Sequence, residues 1–423
     1  MTAVGLDLGA ARTALSAACG EVADGTPADA VDGVTPALVA RPGSTPEVAE
    51  VLRAAAAHRL ALVPRGRGTK LTWGRPPERA DLVVDLSRMD AVFDHAAGDL
   101  IVETQAGTTL AEVQRTVAGA GQRLALDETV PGGSIGGTLA TNASGPGRVA
   151  FGTARDLLIG VTVVRADGVV AKAGGRVVKN VAGYDLGKLV IGSFGTLAVV
   201  TEAVFRLHPL PAARSVVAAP FERPEEAQRL VQAVLQAQVV PSAVEVSWRP
   251  GGTGTVSVLL EGIEAGVEGR TATTRQLLGD ASSAAAELPE GWAAHPWAGL
   301  PGRPTALKAT FALSGLARVL EAARAAAADA GLDLDLRGSA GAGVLYGALA
   351  TGAEPAAVAR VVERLRAECT AVGGALVVLD AAPEVAAAVD AWGPVPALDL
   401  VRRVKERFDP ERRLAPGRFV GGL

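Results

Sequence analysis

The chain has 423 residues, of which 49% are hydrophobic and 20% are charged, and its formal net charge is −4. This length predicts two domains, and the composition is typical of a folded globular protein rather than of a disordered chain. The charge excludes the basic surface of a nucleic-acid-binding protein, and no apolar run is long enough for a transmembrane segment.

The two cysteines, Cys19 and Cys369, lie far apart, and the four histidines are dispersed. Two cysteines cannot supply the four thiolates of an iron–sulfur cluster, and scattered histidines lack the spacing of a metal site. We therefore expect no metal ion on this chain, and any iron–sulfur relay to be carried by another chain. The N-terminus has no basic region before an apolar run, so we expect no secretory signal and a cytoplasmic protein.

The first half predicts short strands that alternate with helices. Residues 1–33 are expected to be a loosely packed lead-in segment, and Pro209 and Pro211 to mark the end of a domain. Thr45 is expected to cap the first helix, with Pro46 in its first turn. The predicted elements are a helix over 45–58, strands over 60–63, 82–86 and 100–104, a helix over 109–118, a hairpin over 157–173 turning at Asp167-Gly168, and a strand over 197–207.

The second half repeats one pattern of strands and helices. It predicts two β-α-β-β-α-β units that share a strand, which is a ferredoxin-like antiparallel sheet covered by helices, and hence an α+β fold. Segment 280–304 is expected to be a loop. The predicted strands are 215–219, 243–248, 254–261, 306–312, 332–336, 344–349 and 375–380, and the helices are 224–238, 265–278, 315–330, 355–371 and 398–408.

Three glycine-rich stretches carry the strongest functional signal. They are residues 64–70 (Pro-Arg-Gly-Arg-Gly-Thr-Lys), 131–137 (Pro-Gly-Gly-Ser-Ile-Gly-Gly) and 191–198 (Ile-Gly-Ser-Phe-Gly-Thr-Leu-Ala). Glycine allows positive φ and close backbone approach, so amide groups can surround phosphate oxygens. Neither the Rossmann nor the P-loop fingerprint is present. The three stretches predict one long anionic cofactor that is held from several sides.

Together with the stretch 142–146 (Asn-Ala-Ser-Gly-Pro) and the motifs at 151–157, 179–189 and 408–418, these stretches resemble the FAD-binding oxidoreductases of the vanillyl-alcohol-oxidase/p-cresol-methylhydroxylase (PCMH) type. The resemblance implies a two-subdomain PCMH-type FAD-binding domain over 34–211 and an FAD-linked oxidase C-terminal domain over 212–423. No histidine or cysteine occurs in 64–74 or 131–147, where some members attach the flavin, so FAD is expected to be non-covalent.

The resemblance also implies which residues hold FAD. The first loop would bind the pyrophosphate, the second would surround pyrophosphate and isoalloxazine, and the third would meet the adenine. Lys70 and Arg148 could add positive charge or could be solvated surface residues. The implied cofactor-binding residues are Arg65, Gly66, Arg67, Gly68, Thr69, Lys70, Pro131, Gly132, Gly133, Ser134, Ile135, Gly136, Gly137, Thr138, Thr141, Asn142, Ser144, Gly145, Gly195 and Val200.

One segment departs from the pattern of related 2-hydroxy acid enzymes. Where catalytic members carry Gly-His-Ala-Gly-Asp-Gly-Asn-Leu-His, this chain has Gly-Ser-Ala-Gly-Ala-Gly-Val-Leu-Tyr at 338–346, and their Glu-His-Gly is absent near 370–375. Serine, alanine, valine and tyrosine cannot form a histidine-based divalent-metal site. Arg337 could hold a carboxylate and Tyr346 could donate a hydrogen bond, or both could be structural. Ala415 replaces an asparagine of the closing motif, with unknown consequence.

A flavin site with an emptied substrate site is similar to the FAD-binding E subunit of bacterial glycolate oxidase. The leading hypothesis is therefore a subunit that relays electrons or supports a separate catalytic flavoprotein subunit beside an iron–sulfur subunit, with peripheral membrane association through these partners left open. The catalytic residues are unknown. Two alternatives stay open: a self-sufficient FAD-dependent 2-hydroxy acid or alcohol dehydrogenase or oxidase, and a structural partner with a vestigial flavin site.

Overall fold

The computed structural model describes residues 6–176 and 185–423, which group into two compact units. The described part of the first unit comprises 6–143, 153–176, 185–210 and Val395–Leu423, and the second comprises Ser144–Gly152 and Pro211–Pro394. This grouping differs from two consecutive domains in two places, because Val395–Leu423 packs with the first unit and Ser144–Gly152 with the second. Most of the motif predicted at 179–189 lies outside the described residues.

The first unit opens with a small sheet whose strand order is β1-β2-β4-β3. Strands β2 and β3 both pair in parallel with the central β4, and β1 is antiparallel to β2. Helix α2 starts as predicted, but Ser44 is the residue that caps it, because its hydroxyl accepts from the Glu47 N–H. The elements are α1 (Leu8–Cys19), β1 (Val22–Asp24), β2 (Leu38–Ala40), α2 (Thr45–Ala57), β3 (Leu62–Arg65) and β4 (Leu82–Asp85).

The expectation of a loosely packed lead-in segment is wrong. Ala11 and Leu15 are fully buried in the main core of the unit, and Cys19 is nearly so. Their spacing of four residues places them on one face of α1, which packs against α2. The sequence pattern does not reveal this amphipathic helix, because alanine occurs on both its buried and its exposed faces and the two faces therefore differ little in hydrophobicity.

The second sheet of this unit has five antiparallel strands in the order β5-β6-β10-β8-β9. The predicted hairpin is present as β8 and β9, and Phe205 on β10 is fully buried. The elements are β5 (Val92–Ala96), β6 (Ile101–Gln105), α3 (Leu110–Ala118), β7 (Gln122–Arg123), α4 (Ile135–Thr141), α5 (Arg148–Phe151, grouped with the second unit), α6 (Ala154–Leu157), β8 (Leu158–Val164), β9 (Val170–Gly174), α7 (Leu186–Val190), β10 (Val199–Arg206) and β11 (His208–Pro209), which pairs with β7.

The second unit is built on one antiparallel sheet of eight strands in the order β15-β12-β14-β13-β17-β18-β16-β19. Its elements are β12 (Ala213–Phe221), α8 (Pro224–Gln236), β13 (Ala243–Trp248), β14 (Gly254–Gly262), α9 (Glu264–Leu278), β15 (Ser283–Ala285), β16 (Thr305–Thr310), α10 (Leu316–Ala330), β17 (Leu334–Ser339), β18 (Val344–Leu349), α11 (Pro355–Ala371), β19 (Ala375–Asp380) and α12 (Pro383–Ala388).

Two ferredoxin-like repeats lie side by side in this sheet, and they join where β13 pairs with β17. The prediction of a shared strand is wrong, because the first of these two ferredoxin-like repeats has its own fourth strand, β15. This strand lies inside the segment expected to be a loop. β15 is a three-residue edge strand of exposed Ser and Ala, so it carries no apolar alternation that a sequence pattern could reveal.

We call Val395–Leu423 the closing segment; it contains α13 (Leu398–Phe408). Its central contact is a buried ion pair, since Lys405 Nζ donates to Asp409 Oδ2 at 2.7 Å. The same ammonium donates to the carbonyls of Thr196 and Leu414, and Asp409 accepts from the backbone N–H groups of Arg413 and Leu414. The pair thereby fixes the closing segment to the third glycine-rich stretch.

We predict that Lys405→Met lowers the free energy of unfolding by about 3–5 kcal/mol, because it leaves the buried Asp409 carboxylate without its cation. Urea denaturation of both proteins at neutral pH measures the change. Lys172→Met is the matched control, since Lys172 is exposed and lies 3.9 Å from its nearest carboxylate, on Glu202. Equal midpoints for Lys405→Met and the control would contradict the role given to the pair.

Candidate functional site

The first unit brings the three glycine-rich stretches into contact. A Cβ atom on Gly66 would lie 2.1 Å from Ser134 Oγ, so only glycine allows the first stretch to approach the second so closely. Gly195 has φ +72°, and a Cβ there would lie 3.0 Å from Pro64 Cγ. The glycines therefore serve first to pack the three stretches against one another, at the end of β3.

A cleft with two chambers follows this junction. Both chambers are lined by Pro64, Gly66, Gly137, Ala140 and Phe194. The first chamber is further lined by Val63, Arg65, Arg67, Gly68, Thr69, Lys70, Leu71, Ser134, Thr141 and Arg418, and the second by Leu86, Ala106, Gly136, Val190, Ser193, Gly195, Ala198 and Val200.

The two chambers differ in chemistry. Four cationic side chains line the first, whereas the walls of the second are backbone and apolar side chains, with Ser193 as the single polar side chain among its lining residues. An apolar slot suits a flat aromatic ring, and a cationic chamber suits an anion. Such a cleft can hold a molecule with a charged centre and an aromatic end.

Two of the four cations are already neutralised by protein carboxylates. Arg65 donates to Asp29 at 2.9 Å and to Asp85 at 2.8 Å. Arg67 donates to the Gly107 carbonyl at 2.9 Å and to Asp90 at 3.2 Å. These bonds hold the first glycine-rich stretch in shape, and they reduce the charge that either arginine can offer to a ligand.

Lys70 is different, because it is buried with little compensation. Its side chain is 9% exposed, and its one hydrogen bond within the described residues is to Thr69 Oγ1 at 3.4 Å. Burial lowers the pKa of the Lys70 amine to about 8, and the charge of Glu128 partly opposes this. A cation in this position is stabilised by any anion that enters the cleft.

The predicted site residues divide into three groups in the structure. Most line the cleft, as described above, and Gly133 and Thr138 line a smaller cavity beside Lys70, Asp127 and Glu128. A third group lies outside the walls of these three cavities. It consists of Pro131, the exposed Gly132, the fully buried Ile135 and Asn142 in the first unit, and Ser144 and Gly145 in the second.

Sequence reasoning did not single out several lining residues, chiefly Phe194 and Arg418. Phe194 has φ +55°, which is uncommon for an aromatic residue, and this conformation has no signature in the sequence. Arg418 is the last residue of the motif at 408–418, but nothing local links it to the cleft, because its partners Leu71 and Trp73 lie 347 and 345 positions earlier in the chain.

In the second unit, the 338–346 segment forms the end of β17, a short turn and the start of β18. The hydroxyl of Tyr346, which is 7% exposed, accepts from Arg148 Nη2 at 3.0 Å and donates to the Ser144 carbonyl at 3.4 Å. Arg148 also donates to the Ser144 hydroxyl at 2.7 Å and to the Gly145 carbonyl at 3.2 Å. Arg148 and Tyr346 thus join α5 to β18.

Two further residues complete this region. His295 is buried, its ring stacks on Trp297 at 4.4 Å, and it packs against Tyr346 at 4.4 Å. Arg337 donates to the carbonyls of Gly291 and Ala294, so its guanidinium supports a loop. Sequence reasoning placed His295 in a loop and did not anticipate its contact with the 338–346 segment.

Across residues 6–176 and 185–423, no three His, Cys, Asp or Glu side chains are grouped so that they could bind a metal ion. Over the same residues, every helix is too short or too polar to cross a bilayer.

Two protein families match this chain. Residues 36–174 match the FAD binding domain family, and residues 259–419 match the family of FAD linked oxidases, C-terminal domain. Together they cover the first two glycine-rich stretches, the 338–346 segment and most of the closing segment. They confirm the expected combination of an FAD-binding domain and an oxidase C-terminal domain, and they indicate FAD.

Curated relatives match over part of their length. Glycolate oxidase subunit GlcD of Bacillus subtilis is 33% identical over 216 residues, which is 51% of this chain and 46% of that protein. D-2-hydroxyglutarate dehydrogenase of Xanthomonas citri pv. viticola is 37% identical over 183 residues, 43% of this chain and 39% of that protein. D-lactate dehydrogenase of Archaeoglobus fulgidus is 32% identical over 49% of this chain and 46% of that protein. The matches thus span less than half of each relative.

A solved structure, alkyldihydroxyacetonephosphate synthase, superposes with a TM-score of 0.67 over 90% of this chain and 76% of that chain, at 19% identity. At this identity the likeness concerns the fold alone. Together with the two family matches, it confirms the predicted α+β architecture of an FAD-binding domain and an antiparallel second domain.

Lys70 generates a pH-dependent prediction for the ligand-free protein. Its amine titrates near a pKa of about 8 when folded and about 10.4 when unfolded, so between these values the unfolded chain binds more protons and stability rises with pH. Relative to Lys70→Met, the wild type should therefore gain up to about 3 kcal/mol between pH 8 and about 10.4. Urea denaturation across this pH range checks the trend, with Lys172→Met as control. A difference in the free energy of unfolding between wild type and Lys70→Met that does not change with pH would contradict the prediction.

Proposed function

Because the chain belongs to the FAD-linked oxidoreductase family, we propose that it is an FAD-binding subunit of a glycolate oxidase-type oxidoreductase for 2-hydroxy acids. It relays electrons to or from a separate catalytic flavoprotein subunit, or supports that subunit, and an iron–sulfur subunit completes the complex. The relatives support the substrate class, since glycolate, D-lactate and D-2-hydroxyglutarate are all 2-hydroxy acids.

The cleft of the first unit supports this proposal for the pyrophosphate and the adenine of FAD. Its cationic chamber contains Lys70 and Arg418, whose charges no carboxylate within ion-pair distance balances among the described residues, and these suit the pyrophosphate. The adjoining apolar chamber, with Gly195 and Val200 in its wall, suits the adenine ring. When bound, FAD supplies an acceptor for two electrons. We propose that it is held without a covalent bond.

The proposal depends chiefly on the contacts of the 338–346 segment. The resemblance implies that Ser339, Ala342, Val344 and Tyr346 replace the metal-binding and polar groups of catalytic members. In the structure Tyr346 is bonded to Arg148 and Ser144. The oxidation of a 2-hydroxy acid needs a base at the hydroxyl and a cation for the carboxylate. Here Arg337, which could serve as that cation, donates to the carbonyls of Gly291 and Ala294, so a second subunit would handle the substrate.

One observation favours the alternative of a self-sufficient dehydrogenase. His295 packs against Tyr346, so an imidazole does lie beside the 338–346 segment, although it comes from a different part of the sequence. In that alternative His295 would be the base. The remaining alternative, a structural partner, requires that the purified chain holds no flavin.

We further propose that the complex is cytoplasmic and that its partner subunits attach it to the inner face of the membrane. This follows from the proposed subunit role and is tested by fractionation of cells that contain all the subunits.

We predict that the chain purified from its natural host shows the visible absorbance of a bound flavin, and that denaturation with guanidinium releases this flavin completely. Anaerobic addition of glycolate or D-lactate should leave the absorbance unchanged with the chain alone, and should bleach it when the co-purified catalytic subunit is present. Dithionite, which reduces flavins directly, is the control that the flavin is redox-active.

Bleaching by either acid with the chain alone would overturn the subunit proposal and support the dehydrogenase. His295→Phe would then test the base, since it should abolish bleaching while FAD stays bound. A chain without flavin after native purification would support the structural partner.

A further inference from the structure

Arg418 occupies a position that is fixed by the backbone of the first glycine-rich region. In the closing segment, Leu414 forms a parallel bridge with Leu62 on β3, through hydrogen bonds of 2.7 and 2.8 Å that involve Arg413 and Ala415. The Arg418 carbonyl then accepts from the Arg75 N–H at 3.2 Å. The residue is therefore held beside the strand that leads into the first stretch.

Its guanidinium is only partly satisfied by the protein. Nη2 donates to the carbonyls of Leu71 and Trp73, at 3.0 and 2.7 Å. Nη1 is buried and has no hydrogen-bond partner within the described residues, although the whole side chain is only 4% exposed. Burial lowers the pKa of Arg418 to about 10, opposed by the charge of Asp32.

A buried guanidinium nitrogen usually has a hydrogen-bond partner, because leaving a buried donor unpaired costs free energy. The neighbouring Arg65 and Arg67 show the usual solution, since each has a carboxylate within 3.2 Å. Arg418 lines the same chamber as these residues and as Lys70. An anion bound in the cleft would supply the partner that Nη1 lacks.

We propose that Arg418, in the closing segment, binds the pyrophosphate of FAD through its guanidinium, together with Lys70. The inference rests on the proposed FAD binding and extends it to a residue that lies far along the chain from the glycine-rich stretches. It means that the pyrophosphate is held from β3 and from the closing segment at once. Arg65 and Arg67 then shape the loop and contribute less charge to the ligand.

The test compares Arg418→Gln with wild type and with Arg412→Gln, an exposed arginine of the same segment. Flavin is removed from each protein, and the dissociation constants of FAD, ADP and adenosine are measured by calorimetry. ADP keeps the pyrophosphate and adenosine lacks it. A charge-assisted hydrogen bond corresponds to a factor of about 10 to 100 in affinity.

We expect Arg418→Gln to weaken FAD and ADP by about 10- to 100-fold while adenosine binding stays within about twofold, and Arg412→Gln to match wild type. Equal losses for ADP and adenosine would overturn the proposal, because Arg418 would then act only by holding the Leu71 and Trp73 carbonyls. Unchanged ADP binding would overturn it as well.

If Arg418→Gln does not fold, Arg418→Lys provides the test, since it keeps the charge but has fewer donors. Its ADP affinity should fall at least about threefold, with a similar dependence on salt concentration as wild type; an unchanged affinity overturns the proposal. A wild-type protein that binds neither FAD nor ADP would instead refute the proposed FAD binding itself.

Discussion

The buried pair of Lys405 and Asp409 is the interaction on which the cleft of the first unit depends. Both side chains are almost inaccessible to water, and burial lowers the pKa of Lys405 while the Asp409 carboxylate opposes the shift. Each charge is also satisfied by backbone groups, of Thr196 and Leu414 for the ammonium and of Arg413 and Leu414 for the carboxylate. A buried pair is tolerable only when all its groups are bonded in this way. Because its backbone partners belong to the third glycine-rich stretch and to the strand-like segment beside β3, one cluster sets the positions of two cleft walls.

The charges in the cleft follow a simple division between structural and available cations. Arg65 and Arg67 have carboxylates at hydrogen-bond distance, so they stabilise loop shape. Lys70 and Arg418 are more deeply buried and have backbone or hydroxyl partners only. A count of basic residues in the glycine-rich stretches would give equal weight to Arg65, Arg67 and Lys70 and would leave out Arg418. The same logic applies to Arg148 in the second unit, whose donors are used by Ser144, Gly145 and Tyr346.

Local patterns in the sequence predicted most helices and strands, because apolar periodicity and capping residues act over a few positions; α11 and β18 have the predicted bounds. The glycine-rich stretches were recognisable for the same reason. Three features could not be seen locally. The face of α1 is made of Ala11, Leu15 and Cys19, which differ little from the rest of that helix. Strand β15 is defined only by its pairing with β12. The placing of Arg418 and His295 depends on contacts between residues that are distant in sequence.

The pairing of Leu414 with Leu62 also has a consequence for synthesis of the protein. The chain leaves the ribosome from its N-terminus, at about 5–20 residues per second. Arg418 is translated 347 residues after its partner Leu71, so the wall of the cleft beside β3 stays incomplete for tens of seconds while the second unit is made. During that interval the edge of β3 has no neighbour from the closing segment, and an unpaired strand edge can associate with other chains. Nascent chains that stall before the closing segment would be expected to lack the finished cleft, which gives a chaperone or protease a means to distinguish them from complete molecules.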